Sequence, residues 1–353
     1  MRIVFRADAS IEIGTGHVMR CLTLAHALTE QGAQCQFICR AHDGHLIEHV
    51  QNQGFQVHVL AVESDANHAS GEAAHAHWLG SSQARDAQVC AALLDAIRPD
   101  WLVVDHYAMD ARWEEQLVDF YQHLMVIDDL ADRPHVADIL LDQTLGREAA
   151  DYQLHVPSDC SVLCGSRYAL LRPEFIALRP YSLLRRVQPT LRQVLVTMGG
   201  VDKDNATGQV LDALSRCVLP PDCRVVVVMG PKAPHLNLLK TQAQTLPYST
   251  QILSGVTNMA QLMADSDLAI GAAGATAWER CCLGLPTLML VLAENQRHLA
   301  EALVDVGAAK LLDLNRLNLS EMIASLGMGP TASTLVDGEG VARVLQAMRE
   351  RCD

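Results

Sequence analysis

Short apolar runs alternate with amphipathic segments along the first half of the chain. Residues 2–6, 35–39 and 101–104 are apolar runs of strand length. Residues 18–29 carry leucines at the spacing of a helix with one buried face, and Gly32 follows as a predicted C-terminal cap. Strands that are separated by helices at this interval predict parallel βαβ units.

The second half of the chain repeats this pattern after a break. Apolar runs at residues 193–198 and 287–290 are each followed by a helical segment. The break, at residues 179–192, holds prolines and arginines and shows no strand pattern. We therefore predict an α/β fold of two Rossmann-like lobes, residues 1–180 and 190–353, with a cleft between them. The final helix of the chain could also return to the first lobe.

Composition narrows the classes of function. The chain has 353 residues, of which 50% are hydrophobic and 4% aromatic, and its formal charge is −14. Such a chain is poorly suited to binding nucleic acid, because that binding requires basic surfaces on the protein. The apolar runs are shorter than a transmembrane helix requires, and the N-terminal residues lack an export pattern, so we expect a cytoplasmic protein. The 11 cysteines include no C-x-x-C pair. We therefore expect free thiols and no metal site.

The loop after the first predicted strand has the residues of an anion or substrate site. Gly14 and Gly16 let backbone N–H groups approach a ligand closely, and they open a helix whose N-terminus favours negative charge. A dinucleotide fingerprint would need glycine where Met19 stands, so NAD is not expected. His17 lies in the first helical turn, where the helix dipole favours the neutral imidazole that a general base requires. A capping or purely structural histidine is the alternative.

A loop of small residues in the second half also leads from a strand into a helix. It contains Gly274, Ala275 and Thr276. The helix N-terminus can bind a diphosphate, and the threonine adds a hydroxyl. Glu279 follows one turn later, and its carboxylate can accept both hydroxyls of a ribose. The alternative is that Glu279 is a solvated acid that simply favours the helix dipole.

Other polar positions follow predicted strands. Gly199 and Gly200 suit phosphate or substrate contacts, or else a tight turn. The adjacent amides of Asn295 and Gln296 suit sugar hydroxyls or acetamido groups.

Acidic residues follow two strands of the first half: Asp105 ends one, and Asp128 and Asp129 end another. Without cysteine or histidine companions, we interpret these acids as loop caps or substrate contacts rather than metal ligands.

Several segments, taken in order, resemble the hydrolases that act on UDP-2,4-diacetamido-2,4,6-trideoxy-β-L-altropyranose in pseudaminic acid biosynthesis. The segments are FRAD at 5–8, GTGHVMRC at 14–21, DHY at 105–107, IDDLADR at 127–133, YALLRPEF at 168–175, GG at 199–200, WERC at 278–281 and AENQ at 293–296. A weaker likeness, confined to the second half, is to the GlcNAc transferase that forms lipid II. Residues 63–82 match nothing in the family.

The resemblance implies a glycosyltransferase-B architecture in which the second lobe holds most of the UDP. It implies that water attacks the anomeric carbon with inversion, that His17 is the base, and that UDP leaves without help from a metal or cofactor. UDP-sugar is then the substrate and UDP a product, and no membrane or nucleic-acid partner is expected. The transferase likeness implies that the Val256 backbone reads the uracil edge. Taken together, the residues and the resemblance predict these substrate contacts: Gly14, Gly16, Asp105, Gly199, Gly200, Val256, Gly274, Ala275, Thr276, Glu279, Asn295 and Gln296.

Two other functions remain open from the sequence. One is a glycosyltransferase that uses the same donor site with an acceptor in the first lobe. The other is a nucleotide-sugar binding module without catalysis, against which the presence of His17 argues.

Overall fold

The structure, a computed structural model, describes residues 1–63, 75–231 and 233–352. The chain divides into two compact units, Met1–Leu170 with Gly340–Asp353, and Leu171–Glu339. The segment at 63–82, which the sequence left unassigned, lies partly outside the described residues. No helix within the described residues is long and apolar enough to cross a bilayer.

Within the described residues, the first unit is built on a parallel sheet of seven strands in the order β3-β2-β1-β4-β5-β6-β7. The strands are β1 Arg2–Ala7, β2 Gln34–Arg40, β3 Gln56–Leu60, β4 Trp101–Asp105, β5 His123–Ile127, β6 Ile139–Asp142 and β7 Ser161–Cys164. Its helices are α1 Gly16–Glu30, α2 Ile47–Asn52, α3 Gln83–Ile97, α4 Ala111–Glu114 and α13 Gly340–Cys352.

Apolar side chains cover both faces of this sheet. On one face, Leu24 and Met348 from α1 and α13 pack in a cluster with Phe37 of β2. On the other face, Leu94 of α3 and Trp113 of α4 lie in a second cluster. A parallel sheet that is buried on both faces explains why its strands read as continuous apolar runs in the sequence.

The second unit has the same construction. Its parallel sheet has six strands within the described residues, in the order β10-β9-β8-β11-β12-β13. The strands are β8 Gln193–Thr197, β9 Arg224–Met229, β10 Thr250–Ser254, β11 Leu268–Ala272, β12 Thr287–Leu290 and β13 Lys310–Leu311. The helices are α5 Pro173–Arg185, α6 Ala206–Ser215, α7 Leu236–Ala243, α8 Met259–Asp265, α9 Thr276–Cys282, α10 Arg297–Asp305, α11 Leu319–Ser325 and α12 Gly329–Leu335.

The boundary between the units differs from the predicted one. The first lobe was expected to end at residue 180, but that position lies inside α5, and α5 belongs to the second unit. Side chains on this helix hold it there: Ser182 donates to the Leu283 carbonyl at 2.7 Å, and Arg179 donates to the Ser333 carbonyl at 2.8 Å. The prolines in this region therefore do not mark a linker.

The final helix, α13, packs in the first unit and not the second, which is the return to the first lobe that the sequence leaves open. Val344 and Met348 are buried in the core there, and Arg351 donates to Asp138 at 3.0 Å. The start of α13 approaches the backbone at Ala169 so closely that only glycine fits at position 340, since a Cβ atom built on Gly340 would lie 2.3 Å from the Ala169 carbonyl oxygen.

A buried network around Asp86 ties four elements of the first unit together. Asp86 of α3 accepts from Arg6 of β1 at 2.8 Å and from Arg40 of β2 at 2.7 Å. Trp113 donates its indole N–H to the other Asp86 oxygen at 2.9 Å. All four side chains are buried. Removing one member of such a network leaves uncompensated charge in the interior.

We expect Asp86→Ala to lower the free energy of unfolding by about 3–5 kcal/mol, because two buried guanidinium groups lose their shared carboxylate. Denaturant unfolding followed by circular dichroism measures this. Asp95→Ala, in the exposed part of the same helix, is the matched control and should cost at most about 0.5 kcal/mol. Equal stability of the two variants would contradict a stabilising role for the network.

Candidate active site

A tight turn sets the start of α1. Ser10 and Gly14 exchange backbone hydrogen bonds of 2.9 and 3.3 Å, and Gly14 has φ +79°, which favours glycine. Within the described residues, no side chain caps α1, which begins at Gly16 after Thr15. His17 therefore stands in an uncapped first turn at the carboxyl edge of the sheet.

His17 is paired with a buried carboxylate. Its Nδ1 lies 2.5 Å from Oδ1 of Asp105, the last residue of β4. An ionised carboxylate can only accept, so Nδ1 carries the proton, and in the neutral ring Nε2 keeps its lone pair. This is the arrangement by which a carboxylate orients a catalytic imidazole and stabilises its protonated form.

Arg20 fixes the orientation of Asp105. Its Nε donates to Oδ2 at 2.6 Å and its Nη2 donates to Oδ1 at 2.7 Å, so both carboxylate oxygens are bound by one guanidinium group. Burial opposes ionisation of Asp105, but Arg20 and His17 outweigh it and hold the pKa of Asp105 well below its usual value. The expectation that Asp105 contacts substrate is corrected here. Its side chain is fully buried and contacts His17 and Arg20 instead.

The acids after β5 have separate roles. Asp128 caps its own turn by accepting from the backbone N–H groups of Ala131 and Leu130 at 2.9 and 3.2 Å. Asp129 accepts from Arg20 at 2.7 Å and from the Tyr107 hydroxyl at 2.7 Å.

The ring of Tyr107 in turn meets the His17 ring edge-on, with centroids 4.6 Å apart. His17 is thus held from two sides, by a carboxylate and by an aromatic ring. Neither Arg20 nor Tyr107 is among the site residues that the sequence predicts. The three-residue spacing of His17 and Arg20, which puts both on one helix face, was the available signal.

Gly199 and Gly200 form a turn after β8 that is exposed, with φ +91° at Gly199. The N-terminus of the following helix, α6, is occupied by protein, because Asp202 accepts from the N–H groups of Ala206 and Thr207 at 2.8 and 3.0 Å. This favours the tight-turn interpretation over an anion site at α6.

The loop before α9 is built differently. Within the described residues, no side chain caps this helix, which begins at Thr276 after Gly274 and Ala275. Arg280 lies beneath the loop with 1% of its surface exposed, and it donates to the Ala272 carbonyl at 2.7 Å and to the Thr276 hydroxyl at 3.3 Å. Burial lowers the pKa of Arg280 to about 10, so the side chain stays cationic at neutral pH. The loop therefore combines an open helix N-terminus with a buried positive charge, which suits an anion.

Glu279 follows on the same helix with 16% of its side chain exposed. Burial raises the pKa of Glu279 to about 7, although Arg172, 3.6 Å away, acts in the opposite direction. Its carboxylate is therefore only partly ionised at neutral pH, which is unlike a solvated acid.

The remaining predicted residues also follow strands of the second sheet. Val256 is partly buried after β10. Gln296 lies in the turn after β12, where its side-chain oxygen accepts from the Leu292 N–H at 3.0 Å. Asn295 precedes it, and its side chain lies outside what the structure describes. All the predicted positions in this unit thus follow carboxyl ends of strands, where open α/β sheets bind ligands.

The second unit is similar to a known protein family. Residues 193–331 match the model of the glycosyltransferase family 28 C-terminal domain. The second unit is similar to this domain. The matched residues include the Arg280 loop and Glu279.

The chain also resembles known proteins over most of its length. It is 26% identical to the UDP-2,4-diacetamido-2,4,6-trideoxy-β-L-altropyranose hydrolase of Campylobacter jejuni, over 87% of this chain and 97% of that protein. This confirms the resemblance seen in the sequence motifs. It is also 26% identical to an uncharacterized protein of Methanocaldococcus jannaschii over 84% of this chain, and the match spans 57% of that longer protein. The spore coat polysaccharide biosynthesis protein SpsG of Bacillus subtilis is 29% identical over 56% of this chain and 61% of that protein.

Solved structures confirm the predicted fold class. MurG of Acinetobacter baumannii superposes with a TM-score of 0.68 at 15% identity, over 99% of each chain. The spinosyn rhamnosyltransferase SpnG superposes with a TM-score of 0.62 at 19% identity, over 98% of this chain and 100% of that one. The fold is therefore the two-domain α/β fold of glycosyltransferase-B enzymes.

Proposed function

We propose that this protein is an enzyme acting on nucleotide sugars, and that it hydrolyses UDP-2,4-diacetamido-2,4,6-trideoxy-β-L-altropyranose to the free sugar and UDP. The observation that carries the proposal is the His17–Asp105 pair, a general base with its orienting carboxylate. Similarity to the Campylobacter hydrolase over nearly its full length supports the substrate.

In this mechanism His17 Nε2 takes a proton from water as the water oxygen attacks the anomeric carbon. The bond between that carbon and the phosphate oxygen breaks, UDP leaves with the bonding electrons, and the anomeric configuration inverts. Asp105 stabilises the imidazolium that forms, and Arg20 keeps Asp105 in place. UDP is a good leaving group, so one positioned base suffices.

The second unit supplies the contacts for UDP in this proposal. The N–H groups of Gly274, Ala275 and Thr276 bind the diphosphate, with Arg280 as a buried countercharge. Glu279 accepts the ribose hydroxyls. The Val256 backbone reads the uracil edge, and Asn295 and Gln296 contact the sugar, as the likeness to the hydrolases and transferases implies.

A second candidate is a glycosyltransferase that passes the sugar to an acceptor. The family 28 match favours it, as does 34% identity over 34% of the chain to a GlcNAc transferase of Carboxydothermus hydrogenoformans. Incubation with the UDP-sugar and no acceptor separates the two. The hydrolase releases UDP at full rate, whereas UDP release that depends on added alcohol would establish the transferase. A chain that binds the UDP-sugar and releases no UDP would be a binding module.

We expect His17→Phe to lower the rate of UDP release by about 10²–10⁴-fold, because general-base help is lost. UDP affinity, measured by calorimetry, should be unchanged, since the UDP contacts lie on the other unit. Turnover near the wild-type rate would remove His17 as the base.

Asp105→Asn should lower the rate by about 10²–10⁴-fold with little change in UDP affinity, because the imidazole loses the group that fixes its tautomer. The matched control is Asp132→Asn, an acid with half of its side chain exposed, which should keep the wild-type rate. A thermal melt of each variant checks folding. If Asp105→Asn is folded and fully active, the pair has no catalytic role.

UDP affinity should fall about tenfold as the pH drops through about 7, since protonation of Glu279 removes a charge-assisted acceptor. Above that pH the carboxylate is ionised and binding is strongest. The Glu279→Gln variant should bind UDP more weakly at high pH, and its affinity should not show this step. Because both proteins bind the same UDP, comparing their curves also removes the effect of the titration of UDP itself. Parallel pH curves for the two proteins would show that Glu279 does not bind the ribose.

A further inference from the structure

An aromatic wall, made of His75, Trp78 and Tyr107, stands beside His17. The Trp78 and Tyr107 rings are nearly parallel, at 23° with centroids 5.8 Å apart. His75 touches both, at 4.4 Å from Trp78 and 5.5 Å from Tyr107. Tyr107 also contacts the His17 ring, so the wall reaches the proposed base directly.

The backbone around Trp78 is anchored. Trp78 lies in a short 3-10 helix, Ala76–Leu79, whose last residue is buried in the core. Glu63 donates its backbone N–H to the Gly80 carbonyl at 3.0 Å and accepts from the Ser81 hydroxyl at 2.9 Å. These bonds fix the backbone at Gly80 and Ser81, directly after the 3-10 helix that carries Trp78.

Two members of the wall, His75 and Trp78, are partly exposed. Burial lowers the pKa of His75, which keeps its ring neutral at physiological pH. Trp78 is partly exposed, whereas Trp101, Trp113 and Trp278 are buried. A partly exposed tryptophan that stacks on Tyr107, whose ring meets His17, offers a large apolar surface near the proposed base and is suited to an apolar ligand.

We propose that the aromatic wall binds the apolar groups of the sugar and that Trp78 sets the preference for diacetamido-6-deoxy sugars over N-acetylhexosamines. The inference rests on the proposed function. The expected sugar offers the methyl groups of two acetamido substituents and a methyl at its deoxygenated sixth carbon. An N-acetylhexosamine has one acetamido group and a hydroxyl at that carbon. Each apolar carbon that enters such a pocket changes discrimination by about tenfold or more.

The first test compares Trp78→Ala and Trp78→Phe with wild type. For Trp78→Ala, KM for the diacetamido UDP-sugar should rise about tenfold, with UDP affinity and melting temperature unchanged. Binding of UDP-GlcNAc should change little, so the selectivity between the two nucleotide sugars falls. The Trp78→Phe variant should keep most of the wild-type selectivity between the two nucleotide sugars. Equal losses for both sugars, or a drop in melting temperature alone, would show a purely structural role and overturn the inference.

The second test uses tryptophan fluorescence, in which Trp78 is the accessible reporter. In a His17→Asn background, which slows turnover by about 10²–10⁴-fold, the diacetamido UDP-sugar should protect the protein from acrylamide quenching more than UDP does. The added protection should vanish with Trp78→Phe. Identical quenching with UDP and UDP-sugar would overturn the inference. If the UDP-sugar protects the protein but the wild-type enzyme releases no UDP, the proposed hydrolysis is wrong and the proposed sugar binding by the aromatic wall still holds. The failures of the two proposals can therefore be told apart.

Discussion

The carboxylate of Asp105, buried at the end of a central strand, is the interaction on which the rest of the site depends. It binds His17 with one oxygen and Arg20 with both. Without the arginine, a carboxylate in this position would be driven by burial to take up a proton, and it could no longer orient the imidazole. Arg20 is in turn held by Asp129, which also fixes Tyr107. One ionised group thus sets the position of the proposed base, His17, and of the Tyr107 ring that stacks on Trp78.

The two units meet different physical demands. The first unit supplies fixed side chains of opposite charge around a histidine. The second offers backbone N–H groups and one buried arginine, Arg280, beneath a loop of small residues. These features explain how a chain with a formal charge of −14 could bind the proposed anionic ligand. Helix N-termini and a buried guanidinium group act over a few ångströms, whereas net charge describes the distant field. The net negative charge should slow the encounter with a nucleotide, but it does not determine the contacts that the protein makes with a bound nucleotide.

The sequence predicted the strands and most helices well, because buried parallel strands are continuous apolar runs with little ambiguity. The predicted run at residues 287–290 has the bounds of strand β12, and the run at 193–198 extends one residue beyond strand β8. Helix α5 was missed because Pro180 lies inside it, and only contacts with distant residues hold it in the second unit. For the same reason Asp105 was misread as a substrate contact. Its partner His17 lies 88 residues away, and a pattern read along the chain does not reveal such a pairing.

The central claim is that water, activated by His17, attacks the sugar carbon and not phosphorus. Reaction in heavy-oxygen water, followed by mass spectrometry of the released UDP and sugar, tests it most directly. The account predicts UDP without label and the heavy oxygen on the anomeric carbon of the sugar. Heavy oxygen on the terminal phosphate of UDP would mean attack at phosphorus and would contradict the account.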